Sequence, residues 1–342
     1  MSGAPRILFV ADAGAKIGGG HVMRCLTLAE ALTIAGAACA FAATPAAAAL
    51  LHAFGRAPIE VIPLAEALSA RELAEGAAEA AKSREAEIVV ADHYGFGAQE
   101  EALLAATAPR LLILDDLRRR HAAGVVLDPG LGRTGRDYPG REVLGGPQYA
   151  LVRPEFAAAR QQALARRARQ EPPSRVLVSL GLGDAGAITA RVVQALAAAP
   201  AGLALDVVIG GEAASRGELE ALARGGAPIA LHIDTREVAA LMAGADMAVG
   251  AGGSSVWERA VLGLPSLTVV LADNQRENAS ALANAGATLA VAPPSGDFER
   301  RLRAAFSVLA ADADVRAGMS EAAAALCDGL GAQRVAARLL AA

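Results

Sequence analysis

Cysteine and aromatic residues are both scarce in this chain. The three cysteines, Cys25, Cys39 and Cys327, are odd in number, far apart and without any CxxC spacing. That excludes a disulfide framework and a cysteine-based zinc site, and leaves three reduced core thiols. Aromatics make up 3% of 342 residues, whereas apolar types reach 54% and glycine occurs 36 times. This balance suits an α/β protein with many strand-to-helix turns and not a disordered or fibrous chain. There is no dense basic block: 32 Lys+Arg against 36 Asp+Glu give a net charge of −4, so a nucleic-acid partner has little electrostatic support. No Walker A sequence, HExxH or GxSxG elbow occurs, and no His/Cys/Asp cluster has metal-ligand spacing, so no metal site is expected.

Charge is also missing locally. Residues 32 to 55 contain no Asp, Glu, Lys or Arg, a stretch long enough for a membrane span by count alone. Its punctuation argues for helix, strand and helix instead. Gly36 closes the first helix, 37–42 has strand length, and Thr44-Pro45 opens the next helix. The N-terminal MSGAPRILFVAD enters a strand at once, without a secretory leader pattern. A cytoplasmic protein without stable membrane insertion is expected.

Strand-length apolar runs recur at 7–10, 38–41, 60–62, 88–91, 111–114 and 125–127, with helical patterns between most of them. After a charged helical segment ending in Pro172-Pro173, the alternation restarts at 175–179, 205–209, 229–233, 247–250 and 267–271. Alternation of this kind marks mainly parallel sheets with crossover helices. Two α/β domains of Rossmann-like type are expected, at 1–160 and 170–330, with a C-terminal helix at 331–342. Ligands of such sheets bind beyond the carboxyl ends of the strands, and two of them facing each other make a cleft.

In KIGGGHVMRCLTLAEAL, residues 16–32, Gly18, Gly19 and Gly20 follow the first strand and His21 opens a helix. The glycines let a ligand approach the backbone. The helix start disfavours an imidazolium, as suits a general base; a solvent-facing histidine is the alternative. In VGAGGSSVWERAVLGLP, residues 249–265, Gly252, Gly253, Ser254 and Ser255 lie between a strand and a helix, with Glu258 one turn in. The residues suit an anion beside a ribose diol, or a tight turn with a serine N-cap. In LADNQRENASALANAG, Asn274 and Glu277 have capping-box spacing, and Asn274 and Gln275 also face the strand ends. ADHYGF places Asp92, His93 and Tyr94 just past a strand, and Asp115, Asp116 and Asp128 follow later ones; hydroxyl binding, metal binding and loop-amide roles all fit them. Gly181-x-Gly183-x-x-Gly186 matches the dinucleotide fingerprint, but Asp206 lies at the wrong end of its strand and Glu212 comes late.

Taken in order, GGGHVMRCLTLAEAL, VVADHYGF, ILDDL, LVRPEF and AGGSSVWE…LGLPSLTVVLADNQ resemble the UDP-sugar hydrolases of pseudaminic acid biosynthesis. Their wider kin include the MurG-type N-acetylglucosaminyltransferases. The resemblance implies a GT-B fold, two Rossmann-like domains facing across a cleft, and hydrolysis of a UDP-linked 2,4-diacetamido-2,4,6-trideoxy sugar without a cofactor. It implies His21 as the base that activates water. Gly19, Gly20, Tyr94, Asn274 and Gln275 fall on the sugar side. Gly252, Gly253, Ser254 and Ser255 fall at the diphosphate, Glu258 at the ribose, and the backbone of Ile233 at the uracil. The one departure is Gly181-Leu182-Gly183-Asp184 where the family has Gly-Gly-x-Asp. The expected partner is a small UDP-sugar, and a monomer is expected. A glycosyltransferase, with His21 deprotonating an acceptor hydroxyl, is the first alternative. An NAD-binding oxidoreductase is the second.

Overall fold

The computed structural model of the chain describes residues 4–14, 19–56, 58–66, 68–122, 124–197 and 203–341. It divides into two compact units, Met1–Arg153 with Leu330–Ala342, and Pro154–Gly329.

The first unit runs β1 (Arg6–Ala11), α1 (Gly20–Ile34), β2 (Ala38–Ala43), α2 (Pro45–Phe54), β3 (Glu60–Pro63), α3 (Ala70–Ser83), β4 (Ile88–Asp92), α4 (Ala98–Ala105), β5 (Arg110–Leu114), β6 (Val125–Asp128) and β7 (Glu142–Gly145). Its sheet has the order β3-β2-β1-β4-β5-β6-β7, with every pairing parallel. Side chains alternate across a strand, so β1 feeds two cores. Ile7 and Phe9 pack with Val22, Leu28 and Leu32 of α1, while Leu8 and Val10 pack with Leu73 and Ala77 of α3. Burial on both faces explains why the strands read as continuous apolar runs. Helix α1 buries Val22, Cys25, Leu28, Ala29 and Leu32, each large aliphatic side chain contributing about 1.5–3 kcal/mol. It closes at Gly36, whose φ of +93° needs a residue without Cβ.

The second unit runs α5 (Pro154–Arg167), β8 (Arg175–Ser179), α6 (Ile188–Ala197), β9 (Ala204–Ile209), α7 (Arg216–Arg224), β10 (Ile229–Ile233), α8 (Val238–Gly244), β11 (Met247–Ala251), α9 (Ser255–Val261), β12 (Ser266–Val269), α10 (Arg276–Asn284), β13 (Leu289–Val291), α11 (Phe298–Ala311) and α12 (Ala313–Leu326). Its parallel sheet has the order β10-β9-β8-β11-β12-β13. The last helix, α13 (Gly331–Leu340), returns to the first unit and places Val335 and Leu339 in its core.

The contacts put the division at Arg153/Pro154 and not between 160 and 170. The reason lies in the arginines of α5. Arg160 donates to the carbonyls of Val261, Ala324 and Cys327, Arg166 pairs with Asp246, and Arg167 donates to Met242 and Ala245. These contacts tie α5 to the second unit, and Pro172-Pro173 lies inside that unit. Strands β7 and β13, of four and three residues, have no counterpart among the expected runs. No helix among the described residues is long and apolar enough to cross a membrane.

In both sheets the strand order reverses once, between β1 and β4 and between β8 and β11. The carboxyl ends of strands at such reversals are where open α/β sheets take their ligands.

Candidate functional site

His21 stands on the first turn of α1, beside the reversal of the first sheet. Gly19 and Gly20 lead into it, and Gly18 lies outside the described residues. The imidazole is not solvent-facing; it is 5% exposed. Its Nδ1 lies 2.5 Å from Oδ1 of Asp92, the last residue of β4, which β1–β4 pairing sets beside the end of β1. Arg24, one turn further along α1, clamps the same carboxylate with Nε at 2.5 Å and Nη2 at 2.6 Å. Its Nη1 reaches Asp116, just past β5, at 3.1 Å. The Tyr94 hydroxyl donates to Asp116 at 2.9 Å, and its ring meets the His21 ring edge-on at 4.5 Å.

Charge balance fixes the roles inside this cluster. Burial opposes ionisation of Asp92, but Arg24 and His21 outweigh it and hold the carboxyl well below the usual carboxylate range. Burial and the neighbouring Asp116 push the Tyr94 hydroxyl far up, so it remains a donor. A carboxylate on Nδ1 assigns the proton of a neutral imidazole to that nitrogen and the lone pair to Nε2. The cluster can therefore accept a proton at one defined atom.

Asp115 and Asp128 belong to a neighbouring buried network, joined to the first through Arg119, which pairs with Asp115 and donates to Tyr94 O. His121 sits between Glu101, at 2.6 Å, and Asp115, at 3.2 Å. Burial opposes its charge, but the two carboxylates raise the imidazole to about 9. Tyr138 joins Asp115 to Asp128, and Arg133 pairs with Asp128. These acids hold loops together. His93 stacks on Phe96 with ring centroids 4.4 Å apart, and burial lowers its imidazole.

In the second unit, the Gly252–Ser255 turn follows β11, at the reversal of that sheet. The Gly252 N–H donates to Val269 O at 3.2 Å and to Gln275 Oε1 at 3.3 Å. Gln275 Oε1 also accepts from Leu271 N at 2.9 Å, so this side chain ties the two loops together. A Cβ on Gly252 would lie 2.9 Å from that of Gln275, and only glycine fits the approach. Among the described residues, the N–H groups of Gly253, Ser254 and Ser255 make no hydrogen bond. Ser254 is exposed, its hydroxyl caps nothing, and Glu258 is half-buried in the first turn of α9. Ile233 ends β10, three strand spacings away, or about 14 Å.

One expectation changes here. Asn274 does not stand at the cap position of α10; it lies within a 3-10 turn at Asp273–Gln275, and that position falls to Gln275. The extra turn displaces the capping-box register by one residue. Asp206, placed at the wrong end of its strand for the dinucleotide fingerprint, is engaged within the sheet. It is held by Arg175 at 2.8 Å and by His232 at 2.9 Å, early in β9. The Gly181 loop is shaped by positive φ at Gly181 (106°) and Gly186 (69°), with buried Asp184 accepting from Thr189 and Ser215.

The sequence showed His21, Tyr94 and the glycine-serine turn, but not the partnership of Arg24, Asp92 and Asp116. An arginine three residues after a histidine reads as a solvated face. Only the β1–β4 pairing makes it a clamp.

Comparison with known proteins bears on the fold. Residues 228–335 match the model of the Glycosyltransferase family 28 C-terminal domain. The crystal structure of Acinetobacter baumannii MurG superposes with a TM-score of 0.70 at 19% identity, covering 98% of this chain and 99% of that one. The chain has the GT-B fold. A putative UDP-N-acetylglucosamine 2-epimerase from Listeria monocytogenes shares it, with a TM-score of 0.63, 12% identity, and coverage of 98% and 96%. By sequence, the chain is 25% identical over 287 residues to the UDP-2,4-diacetamido-2,4,6-trideoxy-beta-L-altropyranose hydrolase of Campylobacter jejuni subsp. jejuni serotype O:2, spanning 82% of this chain and 97% of the relative.

Proposed function

We propose that this chain is a UDP-sugar hydrolase, cleaving a UDP-linked 2,4-diacetamido-2,4,6-trideoxy sugar to UDP and the free sugar on the way to pseudaminic acid. The observation that carries the reading is the His21–Asp92 pair, a buried imidazole with Nδ1 held by a carboxylate at 2.5 Å. The relative from Campylobacter jejuni, matched over 97% of its length, supports the substrate class.

Nε2 of His21 takes a proton from water as the water oxygen bonds to the anomeric carbon. The bond from that carbon to the diphosphate oxygen breaks, and its electron pair leaves with UDP. Asp92 stabilises the imidazolium, which returns its proton to solvent. General-base assistance of this kind contributes about 10²–10⁴ in rate. A diphosphate is already a good leaving group, so one base suffices where glycosidases use two carboxylates. In this reading Gly19, Gly20, Tyr94, Asn274 and Gln275 position sugar and water. Gly252, Gly253, Ser254 and Ser255 receive the diphosphate, Glu258 the ribose hydroxyls, and the Ile233 backbone the uracil. The enzyme would work in the cytoplasm as a monomer.

A second reading is a glycosyltransferase, favoured by the match of residues 228–335 to the glycosyltransferase model. One assay separates the two: UDP-diacetamido sugar is incubated with the protein and no acceptor. Equimolar UDP and free sugar are expected. UDP that appears only when an acceptor is added would make the chain a transferase, and no UDP in either case would overturn both.

A further inference from the structure

Beneath the Gly252–Ser255 turn lies a charge that the proposed chemistry leaves unused. Arg259 is 2% exposed. Its Nη2 donates to Ala251 O at 3.0 Å and to Thr268 Oγ1 at 3.2 Å, and its Nη1 donates to Ser255 Oγ at 3.2 Å. Its Nε meets no partner among the described residues. Thr268 leans in turn on Thr288, which donates to Ser266 O. All three acceptors of Arg259 are neutral. Burial lowers the guanidinium to about 10, against the pull of Glu258 beside it, so it is charged at neutral pH. Gly250 makes room for it, since a Cβ there would collide with Nη1.

Burying a cation on neutral acceptors is strongly unfavourable unless an anion completes the site. Glu258 pulls on Arg259 but accepts none of its hydrogen bonds, so a further anion is still favoured. The contact with Ser255 shows where that anion would sit. A hydroxyl has one proton to donate. Ser255 Oγ accepts from Arg259, so its own proton is directed to another acceptor.

We propose that Arg259 is a positioning residue for the phosphate end of the substrate: it fixes Ser255 as a donor, and its buried charge is neutralised when a phosphate group occupies the Gly252–Ser255 turn. The inference rests on the UDP reading and adds the residue that makes the turn prefer a diphosphate over a neutral nucleoside.

The test is the ratio of UDP to uridine affinity, UDP by calorimetry and uridine by competition, in the full chain. Wild type should prefer UDP. Arg259→Met should cut that preference about 10-fold or more, the usual scale for hydrogen bonding to charge, with uridine affinity unchanged. Arg259→Lys, which keeps the charge, should retain most of it. Ser255→Ala alters a half-exposed residue, so it is readable even if Arg259→Met does not fold. It should lose preference to a similar degree, and in a folded double variant the two losses should not add. An unchanged ratio in Ser255→Ala or in folded Arg259→Met overturns the inference, as does parallel weakening of both ligands. Wild type that binds UDP no better than uridine would instead overturn the UDP reading itself, and this inference with it.

Discussion

Asp92→Asn removes one charge and almost no volume, at a carboxylate that is fully buried. Asp92 accepts from Arg24 Nε at 2.5 Å and Nη2 at 2.6 Å, and meets His21 Nδ1 at 2.5 Å. An asparagine offers one acceptor oxygen to these three donors. If its NH2 faces Arg24, two donors oppose each other. If it faces His21, Nδ1 must become the acceptor and Nε2 must carry the proton, so the base is lost. The expected fall in kcat is about 10²-fold or more, with KM little changed. Breaking one side of a buried ion pair costs about 3–5 kcal/mol. Asp116, 3.1 Å from Arg24, remains as a partner, so the lower end of that range is expected. The pH dependence has a definite sign. Arg24 and His21 depress the Asp92 carboxyl in the folded state, so its contribution is complete above the unfolded value of about 4 and is lost as pH falls below it. Urea unfolding of wild type and Asp92→Asn should show a stability gap of about 3 kcal/mol at pH 7 that narrows below about pH 4. Wild-type kcat in the variant, or a gap that persists at lower pH, would refute the reasoning.

His21→Asn keeps size and hydrogen bonding but loses a site able to take a proton from water; kcat should fall about 10²-fold or more while UDP affinity by calorimetry holds. Glu258→Ala should weaken UDP by about 1–3 kcal/mol, and unchanged affinity would remove Glu258 from the ribose site. His121, raised to about 9 by Asp115 and Glu101, has the opposite sign to Asp92. Its stabilisation is complete below the ordinary histidine value of about 6.5 and lost as pH rises through its folded value. The unfolding gap between wild type and His121→Asn should therefore close between those limits, and a gap constant up to pH about 10 would contradict the pairing.

The features legible in the sequence are those written in neighbouring residues. Apolar runs set the strands, glycine before His21 marked a helix start at a strand end, and Gly-Gly-Ser-Ser with Glu258 marked the matching turn in the second unit. Each depends on local backbone freedom or on a period of two or 3.6, which a contiguous stretch carries by itself. Charge partnership is different. His21, Asp92 and Asp116 meet because β1 pairs with β4 and β4 with β5, a choice of neighbours made by the whole sheet. The arginines show the same limit. Arg24 and Arg259 look like solvated helix positions in sequence, yet one clamps two carboxylates and the other lies buried under Gly250. The arginines of α5 likewise tie their helix to the second unit. A long cation can reach several elements, and which carbonyl or carboxylate it meets is decided only when tertiary packing brings them to hydrogen-bond distance.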